Sequence, residues 1–419
     1  MNTFKNRYAG FIKSLGPGLL LAGTAIGGSH LVQSTRAGAD YGFALVWVII
    51  MANLLKYPFF EFGPRYNAAT GKNLLHAYMN MGRWVMWLFV ALTISTIFFI
   101  EAALLLITAG LAGQLLNIDL GITAWALIVG VACVAILRAG KYKLLDSLMK
   151  IIIVVLSVST VTAALLLLSE PPAFAAPLPA PEIWNVAGIA FIVALVGWMP
   201  SPVDLSVWHS IWCEEKQKQS GYKPKMREAL FDFNLGYVVT ALLALAFVAV
   251  GARTMYGSPE TFSNSGIQFS GQLVAMYTNV LGDWAWLLIS LAASITMLST
   301  VLAVTDAGPR VIAKSVAILY PDVEKKYGEQ RMLSIIMLVM IAISLGIIAF
   351  YLSGIKSLLD LATTVSFLTT PVIAWLNYKA ITSEDVSAEH RPPGWMMIFA
   401  WICMAFWTAF AGYYLYTIF

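Results

Sequence analysis

Apolar residues along this chain fall into unbroken runs of about 20, with little of the alternation that marks soluble elements. A run of that length, rising ~1.5 Å per residue as a helix, crosses a ~30 Å hydrocarbon layer. No water reaches backbone polar groups there, so each run must close its own hydrogen bonds as a helix. The weak period-2 pattern of a membrane barrel is not seen. Eleven spans are predicted, near 15–39, 43–63, 84–114, 121–138, 145–169, 184–212, 229–252, 274–305, 332–352, 356–378 and 396–418. Trp84, Trp87, Trp284, Trp286, Tyr351 and Tyr413 recur near span ends, where amphipathic rings suit the lipid–water boundary.

Two spans are interrupted. Span 1 carries Gly27-Gly28-Ser29 near its middle, and span 6 carries Gly197, Pro200 and Pro202. Gly and Pro also serve ordinary close packing in membrane helices, but paired interruptions in matching spans point to a transport site. Unwinding frees carbonyl and N–H groups at mid-membrane, which is tolerable only beside protein or a water-filled cavity. The proline-rich segment 169–182 cannot be helical throughout. It divides the chain into five spans before it and five from span 6 to span 10. The expectation is an all-α polytopic membrane protein of one domain, 1–419. Its halves, about 15–169 and 184–378, form a 5+5 inverted repeat with helices 1 and 6 discontinuous, and 396–418 is an added helix.

Composition agrees. Charged residues make up 11% of the 419, against about 25% in soluble domains. The net charge of +4 is topology information and not a nucleic-acid footprint. With the N-terminus placed in the cytoplasm, inside segments hold 21 Lys and Arg and outside segments 3 (Arg36, Arg253 and Lys356). Lys56 and Lys150 fall within spans near the inner side. This predicts a multi-pass cell-membrane protein with a cytoplasmic N-terminus and an outside C-terminus. The first apolar run lacks a small-residue cleavage site and reads as a span. Cys133, Cys213 and Cys403 show no paired spacing. No Walker loop, HExxH or nucleophile elbow supports an enzyme, and no cofactor is expected. The expected partners are the bilayer and an ion or small solute.

The candidate chemistry clusters at the interruptions: Ala25, Gly27, Gly28, Ser29 and His30 in span 1, and Gly197, Met199, Ser201 and Asp204 in span 6. Ser201-Pro202-Val203-Asp204 fits a helix start, with Ser201 as cap and Asp204 closing a capping box; ligand binding is the other reading of Asp204. His30 is either a packed, hydrogen-bonded histidine or a ligand and proton carrier. Glu101 lies well inside span 3, where a charge is costly; it reads as a proton relay or as a protonated carboxyl bonded to a neighbouring helix. Glu61 and Lys56 are placed where pairing or snorkelling suffices. Asp306 and Arg310 are spaced for an i,i+4 pair and form a possible gate at the inner end of span 8.

GPGLLLAGTAIGG, RAGADYGFALVWVIIMANLL and NAATGKNL resemble spans 1 and 2 of the NRAMP divalent-metal transporters, and Met199-Pro200 resembles that family's span-6 Met-Pro. The resemblance is specific over about 15–75 and looser around span 6. It implies the LeuT-type inverted repeat, alternating access and a divalent metal as cargo, with proton coupling as a further implication. The family's Asp-Pro-Gly-Asn falls on Gly27, Gly28, Ser29 and His30, so its carboxylate is missing, and Ser201 replaces the histidine after Met-Pro. The remaining metal candidates are His30, Met199 and Asp204, since a dication needs anionic ligands or retained waters. Thr24-Ala25-Ile26-Gly27-Gly28-Ser29 also resembles the glycine-rich break of amino-acid transporters, where half-helix N–H groups hold a carboxylate. The alternatives are thus a transporter of a small carboxylate-bearing solute, or a sensor that no longer transports.

Overall fold

The computed structural model describes residues 14–118, 120–139, 142–169, 181–350 and 354–418, with side chains in 142–153 left aside. Lys5, Arg7, Lys13, Lys141, Tyr351 and most of the proline-rich segment lie outside the described residues, as do the side chains of Lys143 and Lys150. Among the described residues every regular element is helical.

All eleven predicted spans are represented. Span 1 comprises Pro17–Ala25, Ile26–Ser34 and Thr35–Tyr41; span 6 comprises Val186–Gly197 and Leu205–Ser220. The others are Val46–Thr70, Arg83–Leu116, Ile122–Arg138, Tyr142–Ser169, Met226–Thr254, Trp286–Leu319, Glu329–Phe350, Ile355–Ile381 and Gly394–Ile418. Spans 2, 3, 7, 8, 9, 10 and 11 are each long and apolar enough to cross a membrane alone.

Span 8 corrects the sequence reading. The predicted 274–305 fuses two elements, because Gly266–Leu281 is a helix of its own that stops at Gly282, where φ is 92°. Span 8 proper runs from Trp286 to Leu319, so Asp306 and Arg310 lie within it and not at its end. Both segments are apolar enough that hydropathy alone does not show the joint.

Spans 1 and 7 meet through small residues. A Cβ on Gly236 would lie 2.1 Å from the Gly18 carbonyl oxygen, and one on Gly251 2.2 Å from that of Thr35. Such contact lets backbones approach where lipid gives no hydrophobic drive. Asp232 of span 7 accepts from the Gly16 and Gly18 amides at 3.0 and 2.6 Å, which fixes a carboxylate on the positive end of span 1. Span 1 is thereby held against span 7, with its other face toward spans 6 and 8.

Candidate functional site

The two interruptions take different forms. In span 6 the first half-helix ends at Gly197, residues 198–204 leave the helical path, and the second begins at Leu205. Only glycine fits at 197, since a Cβ there would sit 2.0 Å from the Thr363 carbonyl oxygen of span 10. Span 1 does not unwind. Its interruption is a nine-residue π-helical stretch, Ile26–Ser34, whose wider turns shift the register between two α-helical flanks.

Between these interruptions lies a cavity of about 350 Å³, walled by spans 1, 3, 6 and 8. Gly28, Ser29, Trp198, Ser201, Asp204 and Trp208 supply its polar and aromatic wall, and Ile100, Leu104 and Val304 its apolar one. Asp204 is buried, and its Oδ1 has no hydrogen-bond partner. The expected capping box does not form: the helix starts after Asp204, which itself takes the cap position and makes no side-chain capping bond. Trp208 also lines the cavity with its indole N–H unpartnered, whereas Trp198 donates to Ser366 Oγ at 3.1 Å.

The other predicted residues do not converge here. His30 turns toward span 7: its Nε2 lies 2.8 Å from the Thr240 carbonyl, and its Nδ1 lies 2.7 Å from Ser29 Oγ and 3.0 Å from the Ala25 carbonyl. Both ring nitrogens therefore have protein partners. Met199 is sealed in the core, and neither residue lines the cavity. His30, Met199 and Asp204 thus do not assemble around one point. Among the described residues no three His, Cys, Asp or Glu side chains group as metal ligands. Gly27 is covered by span 8, where an added Cβ would meet Thr300 Oγ1 at 2.2 Å. Ala25 contributes its carbonyl to Ser29 and His30.

Glu101 is fully buried beside the cavity wall. Its Oε1 lies 2.7 Å from Thr305 Oγ1, and its Oε2 is unpartnered. Asp306 and Arg310 form the expected pair, with contacts of 2.6 and 3.1 Å.

Sequence reasoning missed two features. Lys56 does not snorkel. It is buried in the middle of span 2, with Nζ on the Val196, Gly197 and Ser201 carbonyls at 2.5, 3.1 and 3.3 Å. Its mid-span position is the available signal. Arg36, by sequence an outside charge near a span end, is buried and grips Asp360 of span 10 at 2.7 and 3.1 Å.

At the opposite end of the bundle, beyond the apolar run of span 6, Lys314 bonds Glu215 at 2.8 Å, and Lys218 pairs with Glu214 at 2.9 Å. Asn73 also donates to Glu214. Burial alone would raise the Glu214 carboxyl, but Lys218, Lys314 and Asn73 outweigh it and hold the pKa below the ordinary 4.5. Burial would raise Glu215 too, and Lys314 chiefly outweighs it. A depressed carboxylate contributes stability that is full above its unfolded value and lost as pH falls through the folded one. Thermal melts between pH 7 and 3 are therefore expected to fall below pH ~4.5, and Lys314→Met is expected to melt lower at pH 7 with a shallower acid decline.

Interrupted helices around a mid-bundle cavity, with ion pairs between spans toward both ends, define a helical membrane transport fold. Residues 18–417 match the family model described as natural resistance-associated macrophage protein-like (Nramp). The chain belongs to the Nramp family. It is 34% identical to an uncharacterised protein of Pasteurella multocida over 98% of this chain and 92% of that one. It is 23% identical to metal transporter Nramp3 of Oryza sativa over 74% of this chain and 57% of that one. Among solved structures, a mutant of the Eremococcus coleocola manganese transporter superposes with a TM-score of 0.71 at 15% identity, covering 96% of this chain and 85% of that one. MhsT in complex with L-phenylalanine gives 0.63 at 14% identity, covering 96% and 98%. The expected LeuT-type architecture is therefore present.

Proposed function

We propose that the protein is a secondary-active, alternating-access transporter that carries a cation, by family a divalent metal ion, through the cavity between spans 1 and 6. The observation that carries this reading is Asp204, a buried carboxylate with an unpartnered oxygen on the cavity wall. An acceptor left unpaired in a membrane interior is costly unless a ligand uses it. The metal candidates named from sequence reduce here to Asp204, so an ion must retain waters or borrow carbonyl oxygens. The manganese transporter structures and the metal-transporting plant relatives support the cargo class.

The contacts of span 7 with span 1 and of span 6 with span 2 support two inverted halves, 15–169 and 184–378. The charge asymmetry supports a cytoplasmic N-terminus and puts the Lys314 end inside. For a coupled proton, Glu101 is the candidate. Thr305 has one hydroxyl proton, yet its Oγ1 lies 2.7 Å from both the Val301 carbonyl and Glu101 Oε1. A proton on Glu101, donated to Thr305 Oγ1, satisfies all three groups.

A second reading has its own observation. The unpartnered Trp208 N–H is a donor, which a metal's hydration shell does not need and a carboxylate does. With Asp204 to receive an ammonium, the pair suits a small amino acid. Uptake of Mn²⁺ and an amino-acid panel into proteoliposomes separates the two. Mn²⁺ accumulation that falls at least tenfold in Asp204→Asn is the expected result. Amino-acid uptake without metal flux replaces the first reading by the second, and accumulation of neither sinks both in favour of a sensor.

A further inference from the structure

Lys56 is the group that neither reading uses. It lies in the middle of the 25-residue helix Val46–Thr70 and is fully buried. An ammonium has three donors, and Lys56 finds three acceptors, all backbone carbonyls of span 6. Val196 and Gly197 end the first half-helix, whose last carbonyls form the negative end of its dipole. Ser201 lies across the break, three residues before Asp204. Trp407 of span 11 closes the remaining side: its ring centroid is 5.7 Å from Nζ, and its indole N–H donates to the Leu55 carbonyl at 3.2 Å. All three of these Lys56 contacts are backbone carbonyls, and the Asp204 carboxylate is not among them.

A ring of backbone carbonyls at a helix break is how proteins hold a bare monovalent cation. Here the cation is covalently attached to the next span. We propose that Lys56 is a tethered cation, built where a free ion would otherwise bind, which holds span 6 in its broken form and so positions Asp204 at the cavity wall. The added helix 394–418 then has a task, since its Trp407 shields this centre from lipid and water. The alternative is that the Lys56 side chain matters only as bulk filling the space between spans 2, 6 and 11. The two differ in what restores a truncated side chain: a cation in the first case, volume of any kind in the second.

The test needs no knowledge of the cargo. Full-length Lys56→Ala and Lys56→Met are purified in detergent and melted in choline chloride, sodium chloride or n-propylammonium chloride at equal ionic strength. Propylammonium replaces the atoms that Lys56→Ala removes. Both variants are expected to melt on the order of 5 °C or more below wild type in choline. Propylammonium is expected to recover at least half of that loss in Lys56→Ala, and sodium a smaller part, with no effect on wild type or Lys56→Met. The proposal is overturned if Lys56→Met, which keeps the stem without the charge, melts with wild type. It is equally overturned if choline and propylammonium leave Lys56→Ala unchanged relative to each other. Should Lys56→Ala fail to accumulate, Lys56→Arg against Lys56→Met decides. Charge predicts that Arg melts nearer to wild type, and the apolar isostere melting higher sinks the idea.

Discussion

Introducing a carboxylate into span 1 by Gly27→Asp, at the position where the resemblance to NRAMP transporters implies one, is expected to abolish folding or transport, and not to create a better metal site. A Cβ on Gly27 would stand 2.2 Å from Thr300 Oγ1, 2.9 Å from Thr300 Cβ and 3.2 Å from Met297 Sδ. The first two are far inside van der Waals contact, and the atoms belong to a short side chain in a packed helix. Overpacking a core by even a methylene or two costs ~1–3 kcal/mol. A carboxylate then adds desolvation with no partner in place, several kcal/mol more. Together these approach the total stability of a typical domain, ~5–15 kcal/mol. Gly27→Ala is the graded control, expected to accumulate at reduced level. Size-exclusion profiles of the detergent-solubilised variants read the first effect, and Mn²⁺ uptake the second. A monodisperse Gly27→Asp protein that takes up Mn²⁺ more strongly than wild type would mean that span 8 yields readily and that the space was never closed. Span 8 fills the space that a side chain at Gly27 would need, which supports span 6 as the source of ligands for the proposed cation.

How much of this is legible in the sequence depends on what kind of signal each feature leaves. The spans are legible because a ~30 Å apolar layer demands long runs; every predicted segment falls on helix, with 274–305 alone running two separate helices together across Gly282. The family is legible because residues 15–75 carry contiguous motifs. The break in span 6 is legible because Gly197, Pro200 and Pro202 disrupt the helix locally. Span 1 differs: Gly27 and Gly28 permit a break, but the surrounding contacts keep the segment helical, with π turns. Contacts across the bundle leave no local pattern. His30 sits beside the motif in sequence, yet its Nε2 faces the carbonyl of Thr240, 210 residues away. Lys56 reads as an ordinary snorkelling residue until the carbonyls 140 to 145 residues downstream are placed against it. Asp204 reads as either cap or ligand, because Ser201-Pro202-Val203-Asp204 is a good helix start. Lys56 holds the Ser201 carbonyl instead, and the helix begins only at Leu205, later than that pattern suggests.

Neutralising Asp360 is expected to open the cavity toward the Arg36 end and to uncouple it. Arg36 donates both terminal nitrogens to Asp360 and one of them also to Gln33 at 2.9 Å, while its guanidinium lies 5.2 Å from the Phe191 ring centroid. One side chain on span 1 thus clasps span 10 and the first half of span 6. Exposed ion pairs contribute ~0–1 kcal/mol, and breaking a buried pair costs ~3–5. With side-chain exposures of 5% and 38%, this pair falls between them, at about 1.5–2.5 kcal/mol. Because ~1.4 kcal/mol is a factor of ten, that loss shifts an open–closed equilibrium by about 10- to 60-fold. In a chain lacking Cys213, a Ser29→Cys reporter on the cavity wall is expected to react at least tenfold faster with a membrane-impermeant thiol reagent added from the Arg36 side once Asp360→Asn is present. Net uptake should fall, because an end that no longer closes cannot alternate. Lys314→Met makes the matching control. It loosens the other end, so it should leave reactivity from the Arg36 side unchanged or lower. Equal acceleration from both variants would show general loosening of the bundle, and no acceleration from Asp360→Asn would show that the clasp holds nothing shut. The expected asymmetry follows from the position of the charges: each ion pair bridges span 6 or span 1 to a neighbouring span at one end only, so each governs access from that end.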